Sequence, residues 1–188
     1  MSGNSSAVAV LITSTDLFVG KTFVASGLAR ALKDRGYSVG VMKPIELGWS
    51  TKIDGEWPLD AERLMQAAGS DDPIEDVVPY IFEELVAPQV AADRLREPID
   101  LDRIESALDR LREKHDIVLV EGVGGLAVPL DEGLNLANLA RNCDMKVIVV
   151  ARAHMGTLNL TYLTANYARQ CGLDVMGVIM NMLDPAVD

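Results

Sequence analysis

The sequence predicts an α/β domain in which a mostly parallel sheet is doubly wound, with helices on both faces. Five short runs dense in β-branched and aliphatic residues, at 7–12, 38–42, 117–120, 146–150 and 175–180, show no polar alternation. That is the pattern of strands covered on both faces, the usual state of parallel strands with helical crossovers. Helical spacing appears between the runs, so strand and helix alternate as a doubly wound sheet requires. A chain of 188 residues matches one such domain, with room to bury roughly two thirds of its unfolded surface.

The elements follow in order. After the first strand, Val24, Leu28, Ala31 and Leu32 mark one face of a helix over 21–35, and Gly36 supplies its stop before the second strand. Between 45 and 59 the pattern lapses into Gly, Trp, Pro and charged residues, which predicts a long functional or mobile loop. A short helix over 61–68 follows. Leu101, Ile104, Leu108 and Leu111 give an amphipathic helix, and another runs from 158 to 170, ending at Gly172. No repeat, linker or low-complexity tract interrupts the single domain at 1–188.

Composition narrows the function. Hydrophobic residues make up 49% and charged residues 24%, which fits a globular chain rather than a disordered or membrane one. With 28 acidic against 17 basic residues, the net charge of −11 repels nucleic acid and anionic membranes. Any phosphate ligand must therefore be held by local features. Cys143 and Cys171 lack zinc spacing and read as buried thiols of a reducing cytosol. The first apolar run is too short to span a membrane and has no basic leader, which predicts a cytoplasmic protein. His115 and His154 have no metal spacing and read as ordinary polar positions.

The strongest motif is the stretch from Ser14 to Thr22, with Gly20-Lys21-Thr22 set between a strand and a helix. Such a turn aims the N–H groups of Phe18, Val19 and Gly20 at phosphate oxygens. It adds a lysine for the β and γ phosphates and a hydroxyl for Mg²⁺, so the chain reads as a P-loop ATP-binding domain. The weaker alternative is a structural turn. Thr15 stands where the usual pattern has its first glycine; a left-handed backbone at Ser14 or Thr15 would cost about 1–2 kcal/mol.

Lys43-Pro44 ends the second strand, at the carboxyl edge where ligands of parallel sheets sit; the alternative is an ordinary lysine before a proline turn. Glu121-Gly122-Val123-Gly124-Gly125 ends another strand, offering a carboxylate for Mg²⁺ and glycines that allow close backbone approach. The alternative there is a glycine turn with a solvated carboxylate. Asp60 reads equally as a ligand reaching the metal or as a helix N-cap.

These motifs, with Leu59-Asp60-Ala61, Ala87-Pro88-Gln89-Val90-Ala91-Ala92, Gly156-Thr157-Leu158-Asn159 and Val178-Ile179-Met180-Asn181, make the chain resemble the dethiobiotin synthetases over almost its whole length. The resemblance implies ATP-dependent closure of a cyclic urea from diaminopelargonate and CO₂ through a phosphorylated carbamate. It implies that Lys21 holds the β and γ phosphates, that Thr22, Asp60 and Glu121 surround Mg²⁺, and that Lys43 stabilises the carbamate and its mixed anhydride. Asn181 would read adenine. Gly124 would lie against the substrate, and Gly156, Thr157 and Asn159 would bind its carboxylate from the neighbouring subunit of a homodimer.

The chain departs from that family at Leu17, where a threonine is usual, and at Leu47, where a serine is usual. A hydrogen bond to a charged partner is worth about 1.5–3 kcal/mol, so losing two hydroxyls predicts slower chemistry or another acceptor. The family also continues past the position of Asp188, leaving either a shortened protein or a partial sequence. Two further readings follow: a P-loop ATPase or ligase acting on another substrate, and a nonenzymatic nucleotide-binding module. ParA and MinD-like ATPases carry an extra lysine early in the loop, and no lysine precedes Gly20 here.

Overall fold

The computed structural model describes residues 7–48 and 59–182. The strands are β1 (Val8–Ser14), β2 (Val39–Met42), β3 (Ile45–Leu47), β4 (Tyr80–Phe82), β5 (Ile117–Glu121), β6 (Pro129–Asp131), β7 (Leu134–Asn135), β8 (Lys146–Arg152) and β9 (Val175–Asn181). The helices are α1 (Lys21–Lys33), α2 (Asp60–Ala68), α3 (Ile74–Val77), α4 (Pro88–Leu95), α5 (Leu101–Lys114), α6 (Leu136–Asn142) and α7 (Thr157–Gln170). Five strands form the main sheet in the order β2-β5-β1-β8-β9, and every pairing in it is parallel.

The unbroken apolar runs have a direct cause. Successive side chains of β1 enter different cores: Leu11 packs with Leu108, Leu111, Leu139 and Ala168 on one face, while Val10 and Ile12 pack with Val24, Ala29 and Leu64 on the other. Both faces are dry, so neither set of alternate positions can be polar. Cys143 lies in the first core, where burial raises its thiol pKa to about 12. Cys171 is only half-buried, so the expectation of two buried thiols holds for one.

Register sets the working edge. Ile12 pairs with Glu121, Ser14 with Val150 and Met42 with Val120. The carboxyl ends of β1, β2 and β5 thus finish together, and Lys43, one residue past Met42, comes level with Glu121.

Two expectations are corrected. The predicted loop from 45 begins with a strand, β3, which pairs in parallel with β4 from Ile45–Tyr80 to Leu47–Phe82; residues 49–58 of that loop lie outside the described residues. Asp60 is not an N-cap. Leu59 holds that position, its backbone N–H donating to Glu62 at 3.0 Å, and Asp60 is the first helical residue. Three helices not anticipated by periodicity, α3, α4 and α6, are four, eight and seven residues long, too short to display a repeating face.

Candidate functional site

The loop from β1 to α1 turns through two left-handed residues, Phe18 at φ 55° and Gly20 at φ 84°. The strain expected at Ser14 or Thr15 falls instead on Phe18. Gly20 is required twice over: its φ is one that L side chains avoid, and a Cβ there would collide with the Asn181 carboxamide. That carboxamide donates from Nδ2 to Val19 O at 2.8 Å, tying the end of β9 to the loop.

Gly20 caps α1, whose first turn contains no acidic residue and whose last turn carries Arg30 and Lys33. The positive end of the helix dipole therefore faces the loop uncompensated, as an anion site requires. Lys21 Nζ is buried and donates to Ser14 Oγ at 3.2 Å. Burial, then the nearby Lys43 charge, lowers its pKa below the ordinary lysine value, even though Glu121, Asp60 and Asp16 act the other way.

Next to it lies a cluster of opposite charges. Lys43 Nζ donates to Glu121 Oε1 at 2.6 Å and to Asp60 Oδ2 at 3.1 Å, and Thr22 Oγ1 donates to the same Glu121 oxygen at 2.9 Å. Burial opposes the charge on Lys43, but Glu121, Asp60 and Glu46 outweigh it and raise its pKa above the ordinary value. Thr22 and Asp60, far from Glu121 in sequence, thus meet it and Lys43 at one place. Glu121 is only 1% exposed, and its second oxygen, Oε2, has no hydrogen-bond partner among the described residues.

A buried carboxylate oxygen left without a donor is costly. With the Thr22 hydroxyl and the Asp60 carboxylate alongside, it fits a hard cation such as Mg²⁺, which takes one or two protein carboxylates and completes its shell with water and substrate phosphates. Among the described residues no three His, Cys, Asp or Glu side chains group as a ready-made metal cage.

The glycine run serves loop packing. Thr13 Oγ1 donates to Gly124 O at 3.1 Å, Gly124 sits at φ 98°, and a Cβ on Gly122 would strike Leu136. Gly124 is therefore tied to the carboxyl end of β1, where the phosphate loop begins. Gly156, Thr157 and Asn159 stand apart: Gly156, at φ 93°, caps α7, Asn159 is exposed, and no described hydrogen bond links them to the Lys43 cluster. Thr157 Oγ1 is buried with no hydrogen-bond partner among the described residues.

Glu46 and Ser14 were missed as site residues. Glu46, 1% exposed, accepts from the Ala61 N–H at 3.3 Å and so fixes the start of α2, which carries Asp60. A charged residue inside an apolar strand was its only signal. Leu17 is exposed beside Gly124, and Leu47 packs on the core from β3, so neither position returns the hydroxyl it lacks. A cleft of about 620 Å³ adjoins Asp60 at Leu59 and is lined by Phe82, Ala91 and Leu95.

Comparisons with known proteins bear on the family and the fold. The AAA domain family matches residues 8–187. An ATP-dependent dethiobiotin synthetase BioD of Aquifex aeolicus is 41% identical over 172 residues, covering 92% of this chain and 75% of that protein. The protein of the same name from Anaeromyxobacter dehalogenans is 40% identical over 179 residues, covering 95% and 78%. Among solved structures, the kinase domain of Escherichia coli tyrosine kinase ETK superposes with a TM-score of 0.62 at 21% identity, covering 99% of this chain and 71% of that one. At that identity the likeness is one of fold.

Proposed function

The chain belongs to the dethiobiotin synthetase family, and from that membership we propose that it closes the ureido ring of dethiobiotin from diaminopelargonate, CO₂ and ATP. The observation that carries the chemistry is the junction of Lys43, Asp60, Glu121 and Thr22 beside the phosphate loop, with one Glu121 oxygen still unpaired.

The reaction needs charge neutralisation and placement more than a strong base. Phe18, Val19, Gly20, Lys21 and Thr22 form the phosphate cradle in this reading, with the Lys21 ammonium on the β and γ phosphates. Thr22, Asp60 and Glu121 would hold Mg²⁺, which supplies Lewis-acid neutralisation of phosphate charge. Lys43, kept protonated by its carboxylates, is the cation for the carbamate and for the mixed anhydride made when the γ-phosphoryl group is transferred to it. The second amine then attacks the carbamoyl carbon, the C–O bond to phosphate breaks, and the amine proton leaves with solvent.

Asn181, already against Val19, is assigned to the adenine. Gly124 lies against the acceptor. Gly156, Thr157 and Asn159 serve the substrate carboxylate of a partner subunit in a homodimer, a reading supported by exposed Met155, Leu158, Tyr162 and Leu163 around the start of α7. No described helix is long and apolar enough to cross a membrane, and a cytoplasmic location accords with the substrates. The test is ADP release by purified protein in Mg-ATP and bicarbonate, with and without diaminopelargonate, with dethiobiotin sought by mass spectrometry. Product that depends on every component establishes the reaction. Nucleotide binding without product would transfer the site to another acceptor, the outcome that Leu17 and Leu47 would explain.

A further inference from the structure

Phe23 lies in the first turn of α1, immediately after Lys21-Thr22, and is 76% exposed. Its neighbours Val24 and Ala25 are buried, so this turn has an inner face for the core and Phe23 is not needed there. Leaving an aromatic ring in water forfeits a large part of its burial energy, which calls for a ligand at that place.

Its surroundings say which. The point where a Cβ of Gly20 would sit lies 2.3 Å from the Asn181 Nδ2 and 4.0 Å from the Phe23 Cβ. The base of the exposed Phe23 side chain and the Asn181 carboxamide therefore both lie beside Gly20 of the phosphate loop, and Met182, next after Asn181, is 48% exposed. A flat heteroaromatic base needs an apolar face to lie on and a donor–acceptor group at its edge. A carboxamide offers both a donor and an acceptor, and an aromatic ring offers the face.

We propose that Phe23 is the platform on which the nucleobase of the bound nucleotide stacks, making it an affinity-determining residue of the nucleotide site. This rests on the reading of the Lys21 loop as the phosphate cradle. Stacking is sequence-tolerant because every base has a π-face. Phe23 thus supplies affinity common to all nucleoside triphosphates, and Asn181 supplies the choice among them.

The experiment is equilibrium binding, with Mg²⁺, of ATP, GTP and inorganic tripolyphosphate to the full chain and to its Phe23→Ala, Phe23→Trp and Lys21→Ala variants, each checked for folding by circular dichroism. Phe23→Ala is expected to weaken ATP and GTP about tenfold and to leave tripolyphosphate unchanged, whereas Phe23→Trp retains ATP affinity. Lys21→Ala should weaken all three ligands. Phe23→Ala binding ATP as tightly as wild type, or losing tripolyphosphate in equal measure, would overturn the stacking role while the phosphate cradle stands. Wild type that binds neither ATP nor tripolyphosphate would overturn the cradle, and the platform with it.

Discussion

Two charged clusters occupy opposite ends of the same pair of strands, β2 and β5, and they differ in one respect. At the amino end, Asp72 accepts from Ser70 at 2.7 Å and His115 at 2.8 Å on one oxygen and lies 3.4 Å from Lys114 on the other. Ser38 Oγ lies 2.8 Å from His115 Nδ1, and the Ser38 N–H donates to Asp116 at 2.9 Å. Each of these groups answers another within the fold. At the carboxyl end, Lys43 and Thr22 crowd onto one oxygen of Glu121 and leave the other bare. A buried polar network that closes on itself fixes structure, and one with a spare lone pair is built for a ligand.

The largest effects should arise at the open end. Lys21→Ala is expected to lower ATP turnover by about 10²–10³-fold or more, the scale for removing a charge-stabilising group from a reacting site. Its stability should move the other way. A lysine whose pKa is depressed in the folded state opposes folding while charged, and that opposition fades as pH rises through the folded value toward 10.5. Near neutral pH the variant should therefore melt no lower than wild type without nucleotide, and should lose the upshift that Mg-ATP gives. A variant with full turnover would remove the phosphate-loop reading.

Lys43→Met separates stability from activity differently. It strands Glu121 as an uncompensated buried charge, which costs about 3–5 kcal/mol and should lower the melting temperature by roughly 10 °C in a chain of this size. Because the Lys43 pKa is raised, its contribution is fully present below the ordinary lysine value of 10.5 and lost only at higher pH, so the difference should be flat from pH 6 to 9. Turnover should fall much further than ATP affinity. Equal losses in both would contradict the assignment of Lys43 to the acceptor.

The sequence displayed one of these clusters and concealed the other. Lys21 was selected by the Gly20-Lys21-Thr22 motif at a helix start, and Lys43 and Glu121 by the rule that ligands gather at the carboxyl ends of parallel strands. The pairing of Lys43 with Glu121 was beyond periodicity, because it depends on Met42 facing Val120, a partner far away in the chain. The β3–β4 pair escaped for the same reason: three-residue strands carry too few positions to show a pattern, and their parallel partner is distant. His115 was read as an ordinary polar position, and no local signal could have joined it to Ser38 and Asp72.

At the closed end the effect should be on stability alone. Burial resists the charge of Asp72, but the hydrogen bonds from Ser70 and His115, with the His115 and Lys114 charges, outweigh it and lower its pKa. A carboxylate depressed in this way adds stability above its ordinary value of 3.8 and loses it as pH falls through the lower folded value. Asp72→Asn should therefore cost about 1–3 kcal/mol at neutral pH and show a shallower acid limb in melting experiments. ADP release should be unchanged. A fall in turnover with no change in melting would put this cluster in the reaction and erase the contrast between the two ends.

The smallest effect is expected where charge is paired but not buried. Arg30 and Asp34 lie 2.9 Å apart at the end of α1, with side chains 68% and 59% exposed. Water screens such a pair, and an i,i+4 bridge contributes roughly 0.3–0.5 kcal/mol. Arg30 also complements the negative end of the helix dipole, while Asp34 opposes it. Removing Arg30 leaves the unfavourable partner behind, so Arg30→Ala should exceed Asp34→Ala in cost. Both should stay within about 2 °C of wild type and converge in high salt. A larger, salt-insensitive loss at Arg30 would mean that short ion-pair distance alone confers stability, and that the distinction between open, closed and exposed clusters is not the one that matters.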